Sequence, residues 1–412
     1  MRWSRRDVLR AGAGASLAMA LPRFGGAVAG SDLRFVFVFA RGGWDTTRVF
    51  SPMGGVAGVQ TERDAVRVDQ GDLTWVDHPD RPAVRNFFTD YGPRTAVLDG
   101  LLVRSVNHSI CERLVQTGSA RPDRPDWASI LGSVAAADHA LPTLVLDGPS
   151  NPGVLHRHTS IVGTSGQLQG LLDGAAFSRG DRRVQAPDAD LSARIDALVA
   201  SGAQRRLDAQ TDVGWRRIAT AQVDALARLD RLRTDAEEVS FDARDFDAQA
   251  NVAVDLLAAN VARVVCVGLG GFDTHGDTVT QTQMYNKLFA GLNRLMAQLD
   301  ATPGRRAATL AEETVVVVQS ELGRTPYLNG SLGKDHWPYT AAMLLGPGVR
   351  GGRRIGGYDD ALSGLPVDLP SGETSTSGTV VTSEHLGATL LALAGLDPAA
   401  WVEAGVIPSL MA

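Results

Sequence analysis

The chain has 412 residues, 44% hydrophobic and 21% charged, with a formal net charge of -6. That is a globular composition, long enough to bury a large core, and an acidic balance without basic runs argues against nucleic acid as the main partner. Two cysteines, Cys111 and Cys266, argue against a disulfide framework.

The first residues read as a targeting segment. Ser4-Arg5-Arg6-Asp7-Val8-Leu9 sets twin arginines ahead of a charge-free run from Ala11 to Leu21, and Ala27-Val28-Ala29 offers a small-x-small cleavage site. The apolar run is too short to span a bilayer. Residues 1–29 are therefore expected to be a twin-arginine signal peptide that sends the protein to the periplasm or beyond, leaving no transmembrane segment in the mature chain. Its removal lowers Lys+Arg from 40 to 35 and Asp+Glu from 46 to 45, so the charge moves from -6 to -10. Gly12-Ala13-Gly14 lies inside this leader with no strand before it, and is not a nucleotide loop.

Leu33 to Ala40 is an apolar run that predicts a strand buried on both faces. It ends in Arg41-Gly42-Gly43-Trp44-Asp45, where the aspartate taken alone reads as a turn cap ahead of a ligand. Residues 51–94 are loop-rich, with a helix expected around Ala83 to Tyr91. Thr95 to Asp99 predicts a short strand. Asn107 or His108 then opens a helix that ends near Thr117-Gly118, with free N–H groups at its start. Leu141 to Asp147 predicts another strand, followed by His156 and His158 in a Gly/Ser-rich loop.

From Asp188 to Ala262 the pattern turns helical and charged, as expected of helices that cover the sheet or form a cap. The last of them leads into Val264–Asp277, VVCVGLGGFDTHGD, a second buried strand that breaks at Gly270-Gly271 and delivers Asp273 and His275. Residues two apart on an extended segment point the same way, so this carboxylate and imidazole can converge. Leu288, Leu292, Leu295 and Leu299 mark the core stripe of a following helix. Thr314 to Gln319 predicts a central strand leading at once into Ser320-Glu321-Leu322-Gly323-Arg324, and a turn brings Gly333-Lys334-Asp335-His336. A closing strand from Ala341 to Leu345 and a last helix from Ser383 to Ala394 complete the chain, with His385 structural or peripheral.

Asp45, Asp273, His275, Glu321, Asp335, His336 and His108 thus gather where strands end, the place for a site in an α/β sheet. Mixed carboxylate and imidazole donors suit a divalent metal such as Zn²⁺, Mn²⁺ or Fe²⁺. Arg41, Arg324 and Lys334 flank the same segments, where they either hold a tetrahedral anion or neutralise nearby carboxylates. The G-x-S-x-G, H-E-x-x-H and G-x-x-x-x-G-K-[ST] patterns are missing.

The leader, the RGGWD strand end, GGFDTHGD, SELGRT and the GKDHW…GPGVRGGRRIGGY stretch resemble the exported proteins of domain-of-unknown-function family 1501, within the sulfatase-like, alkaline phosphatase superfamily. The resemblance implies a single domain over 30–412, three-layer α/β/α with a mostly parallel sheet, in which residues 188–262 form a helical cover or cap. It also implies a metal site from Asp45, Asp273, His275, Glu321 and His336, holding one or two divalent ions, Zn or Mn. His108 stands at the nucleophile's place, with Arg324 and Lys334 steadying the anion. Leu322 occupies the place of a metal-binding histidine in many relatives, which leaves a second metal short of a ligand. The sulfatase Cys/Ser-x-Pro-x-Arg motif is absent, against a formylglycine sulfatase.

The expected function is an exported metal-dependent hydrolase of a phosphate or sulfate ester, on a small molecule or polymer. The other class is a non-catalytic module that binds a cell-surface polymer or protein partner.

Overall fold

The computed structural model describes residues 32–412 except 164–174, 180, 181, 186, 237, 238 and 242. The leader read at 1–29 lies outside the described residues.

The sheet strands are β1 (Arg34–Ala40), β2 (Thr95–Leu102), β3 (Thr143–Val145), β4 (Thr159–Ile161), β5 (Val264–Leu269), β6 (Thr314–Gln319), β7 (Tyr339–Leu345) and β8 (Arg353–Ile355). They form one sheet in the order β8-β2-β7-β6-β1-β5-β3-β4. Pairing is parallel except where β7 runs antiparallel to both β6 and β2. The helices are α1 (Pro82–Tyr91), α2 (His108–Thr117), α3 (Trp127–Ser133), α4 (Ala189–Ala209), α5 (Val213–Asp235), α6 (Phe246–Ala258), α7 (Val279–Ala301) and α8 (Ser383–Leu393).

Side chains alternate across a strand, and β1 feeds two cores. Val36, Val38 and Ala40 join the apolar faces of α1, α6 and α7 on one side, where Leu288, Leu292, Leu295 and Leu299 are all buried. Phe35 and Phe37 join Trp127 and Ile130 of α3 and Leu386 and Leu390 of α8 on the other. Because both faces are covered, β1, β5 and β6 carry unbroken apolar sequence, and the fold is three-layer α/β/α with a mostly parallel sheet.

The stretch from 188 to 262 divides. α6 is a core helix whose apolar side lies against the sheet, whereas α4 and α5 pack on each other as a largely exposed pair. The loop-rich region 51–94 holds, besides α1, a hairpin of Val66–Gln70 with Leu73–Asp77 that the residue pattern does not announce. Its polar outer strand lacks an apolar run. His385 closes a capping box with Thr382 at the start of α8. Cys111 and Cys266 are free and buried.

Candidate metal centre at the carboxyl edge of the sheet

The parallel strands β1, β5 and β6 end side by side, so the segments after Ala40, Leu269 and Gln319 meet. Gly42 and Gly43 make the meeting close. Both sit at positive φ, 118° and 80°, and a Cβ on Gly42 would lie 2.3 Å from the Asp273 amide nitrogen. Only glycine fits there without strain.

Arg324 then ties the segments together. Its guanidinium is fully buried and donates to the carbonyls of Gly42, Gly43 (2.8 Å), Phe272 (3.1 Å) and Lys334 (3.0 Å), and to Asp273 Oδ1 at 2.7 Å. Burial pushes the Asp273 carboxyl up, but Arg324's hydrogen bond and charge, with His336 behind them, hold it down at about 2.

Three imidazoles surround Asp273, and each has its Nδ1 tied to an acceptor. His108, the first residue of α2, has Nδ1 2.8 Å from Glu321 Oε1. His275 has Nδ1 2.9 Å from Asp335 Oδ1, and His336 has Nδ1 2.8 Å from the Val106 carbonyl. A proton on each Nδ1 leaves each Nε2 with a lone pair. All three Nε2 atoms face Asp273, at 3.5 Å from Oδ2 for His108, and at 3.1 and 3.4 Å from Oδ1 for His275 and His336. His108 Nε2 is buried without a hydrogen bond. The Nε2 atoms of His275 and His336 lie only 2.9 Å apart.

His108, Asp273 and His336 present donor atoms within 4.8 Å of one another, the one such group among the described residues. The close His275–His336 contact is satisfied by a proton on one Nε2 or by a cation between the two, with Arg324 Nη1 3.4 Å from His275 Nε2, and the donor set matches a divalent ion. Imidazole N–H groups bonded to carboxylates or carbonyls on the far side are the usual support of histidine ligands. Burial, then Arg324, pulls the His336 imidazolium down and favours its neutral form, whereas the hydrogen bond to Glu321 raises His108 and favours its protonated form until an ion displaces the proton.

Other residues picked out in the sequence lie elsewhere or act indirectly. Glu321 is fully buried. It accepts from the Gly42 amide and from Ser320 Oγ as well as from His108, so it supports an imidazole rather than facing the cluster. Asp45 is buried too, and Thr47 occupies Oδ1 while Lys334 at 2.9 Å and Arg48 at 3.4 Å occupy Oδ2. Lys334 is thus the counter-ion of Asp45, and Arg324 directs its donors at carbonyls, at Asp273 and, at 3.4 Å, at His275 Nε2. Asp45 and Lys334 face each other rather than the imidazole cluster.

His108, at the nucleophile's place by resemblance, is grouped by the structure with Asp273 and His336. Leu322 is buried among Phe39, Val103, Cys111, Leu114 and Val115, a core residue under α2. His156 and His158 lie in the 3₁₀ turn Gly153–His158, outside the cluster. Asp335 stands beside His336 in sequence without being one of the expected ligands. Its bond to His275 and the clamp by Asn329 (2.9 Å to Oδ1) give it a role. The flanking His336 was the signal available.

Fold and site together define an α/β protein with an imidazole–carboxylate cluster at the carboxyl edge of its parallel strands. The chain belongs to the family described as Protein of unknown function (DUF1501), which matches residues 93–404. No curated protein matches it. Among solved structures it is similar to the lipoteichoic acid synthase LtaP from Listeria monocytogenes, with a TM-score of 0.42 and 8% identity over 93% of this chain and 76% of that one. It is similar to the C-terminal periplasmic domain of EcEptC from Escherichia coli in complex with Zn, with a TM-score of 0.38 and 11% identity over 92% and 88%. A third likeness is to the phosphonate monoester hydrolase of Agrobacterium radiobacter, with a TM-score of 0.37 and 12% identity over 92% and 77%.

Proposed function

We propose that this chain is an exported, metal-dependent hydrolase of phosphate or sulfate esters, acting in the periplasm or outside the cell. The observation that carries the reading is the convergence of three Nε2 atoms on Asp273, each imidazole held by an acceptor behind it. His108, Asp273, His275 and His336 would hold the ion, and three imidazoles with one carboxylate suit Zn²⁺ or Mn²⁺. Bound there, a divalent ion supplies Lewis acidity toward an ester oxygen.

The chain's own residues do the rest. Glu321, Asp335 and the Val106 carbonyl fix the three rings, and Arg324 keeps Asp273 ionised and oriented. Arg41 follows β1 directly and is exposed. Its charge acts on Glu112, one turn along α2 from His108, whose carboxyl is raised by burial and by Glu321 against the pull of Arg41 and His108. With Arg324 and Lys334 engaged, Arg41 is the cation suited to steady the ester's anionic group.

The test is metal content per chain for protein exported and purified without chelator, alongside His336→Ala. One equivalent of a transition metal, lost in the variant, supports the site and justifies a panel of phosphate and sulfate esters. A metal-free wild type after growth with added zinc and manganese would sink it.

A second reading, a non-catalytic module binding a cell-surface polymer or protein, draws on the same engagement of Arg324 and Lys334. It predicts metal-loaded protein that binds but turns over no ester. A metal-dependent rate abolished in Asp273→Ala removes it.

A further inference from the structure

At the opposite edge of the sheet, where β1 and β5 begin, lies a cavity of about 540 Å³ lined by residues distant from the cluster just described. Arg34 opens β1, Arg263 immediately precedes β5, Arg231 comes from α5, and Arg305 and Arg306 follow α7. His139 completes the polar wall. The carboxylates in the lining are Asp32 and Asp138. Beneath them Glu313 is buried, bonded to Arg34 at 3.4 Å and to the Ala307 amide at 2.7 Å. Among the described residues, five guanidinium groups stand against three carboxylates, of which Glu313 is turned inward to hold Arg34 and the 304–307 turn and Asp32 lies 3.7 Å from Arg306.

Two of the guanidinium groups are built into the protein. Arg34 and Arg263 are 5% and 2% exposed. Arg34 also donates to Asn260 Oδ1 at 2.9 Å. Arg263 donates through Nε and Nη1 to the carbonyls of Leu33 and Leu131, both at 2.9 Å. Burial holds the Arg263 guanidinium down at about 10, with Asp32 opposing and Arg34 adding to the effect. His139 is lowered by burial and, against its bond to the Asn260 carbonyl, by the same two arginines. Clustered like charges raise the energy of a cavity unless an anion fills it. Arg34 and Arg263, whose donors are largely engaged by the protein, supply fixed positive charge, while the exposed Arg305 and Arg306 offer the forks matched to tetrahedral oxyanions. A volume of about 540 Å³ also lies within the span of about 300–1,000 Å³ common for small-molecule sites, far beyond one bare ion.

We propose that this arginine-lined cavity is a second binding site, for a small molecule that carries a phosphate or sulfate group. Seven residues of β1, at about 3.3 Å each, set it roughly 20 Å from the imidazole cluster. It stands whether or not the cluster hydrolyses esters.

The test is calorimetric titration of the full chain with inorganic phosphate, pyrophosphate and glucose 6-phosphate at low and at raised salt. The proteins are wild type, the double variant Arg305→Ala/Arg306→Ala, and His336→Ala. The first two positions are exposed, and matching thermal melts verify folding. The expected result is a salt-sensitive binding step weakened about tenfold in the arginine variant and still present in His336→Ala, which removes any separate step at the imidazole cluster. Tighter binding of glucose 6-phosphate than of inorganic phosphate identifies an organic carrier, and the reverse order a free anion. Absence of saturable binding at low salt, or loss in His336→Ala alone, overturns the proposal.

Discussion

Glu321 shows how a residue matters without facing the reacting groups. Its carboxylate has no exposure and touches His108 on the side away from Asp273. Glu321→Ala frees the His108 ring to turn and to change tautomer, and the expected loss is about 10- to 100-fold in metal affinity, read by competition with a chelator of known strength. Arg41→Ala should behave in the opposite way. Metal content stays at the wild-type level, while KM for an anionic ester rises about tenfold with kcat less affected. An unchanged KM would take Arg41 out of the site. The ion pair of Asp45 with Lys334 was beyond reach of the sequence, because each residue alone reads as a ligand or an anion binder. Which charges pair inside a protein depends on contacts between distant segments.

At the scale of elements, the β1–β5 junction depends on the absence of a side chain. Gly42→Ala places a methyl carbon against the Asp273 backbone at a φ that disfavours any side chain. The strand ends must separate, carrying Asp273 with them. Loss of about 2 kcal/mol or more is expected, together with loss of metal, by denaturant titration and elemental analysis. The α4–α5 pair is different. Most of its residues are exposed, including Leu198, Val213 and Trp215, and little of it packs on the sheet. Amides of residues 189–235 should exchange faster than those of α7, whose leucine stripe is buried. Equal protection would mean that the pair is anchored to the body.

Across the whole molecule, what could be read from sequence followed from burial. β1, β5 and β6 announce themselves as apolar runs because helices cover both faces of the sheet, and the residues just past their ends fall where the site lies. Direction was not legible. β7 is antiparallel, yet Tyr339–Leu345 is as apolar as its parallel neighbours, since burial on two faces erases the alternation that distinguishes the two cases. The hairpin at 66–77 was missed for want of an apolar run. The division of 188–262 was missed because the periodic pattern continues from the exposed α4–α5 pair into the core helix α6. The arginine cavity was invisible, since Arg34, Arg231, Arg263, Arg305 and Arg306 meet only after folding.

The hydrogen bond from His336 to the Val106 carbonyl has a mechanical side. It extends the β2–β7 pairing, which reaches Leu102–Tyr339 and the Val103 N–H to Pro338 carbonyl bond, out to the strand His336–Trp337 and the chain leading into α2, where His108 and His336 face Asp273. An ion held by these rings would act as a rivet through three separate lengths of chain. Extracting it with a chelator should leave the two cores intact and loosen the outer loops. Tyr327 and Leu332, 52% and 70% exposed in the loop before His336, offer a protease its foothold there. Limited digestion with chymotrypsin should cut at this loop only after chelation, and readdition of the metal should restore resistance. Equal cutting rates with and without chelator would show that the loop is fastened by the protein alone.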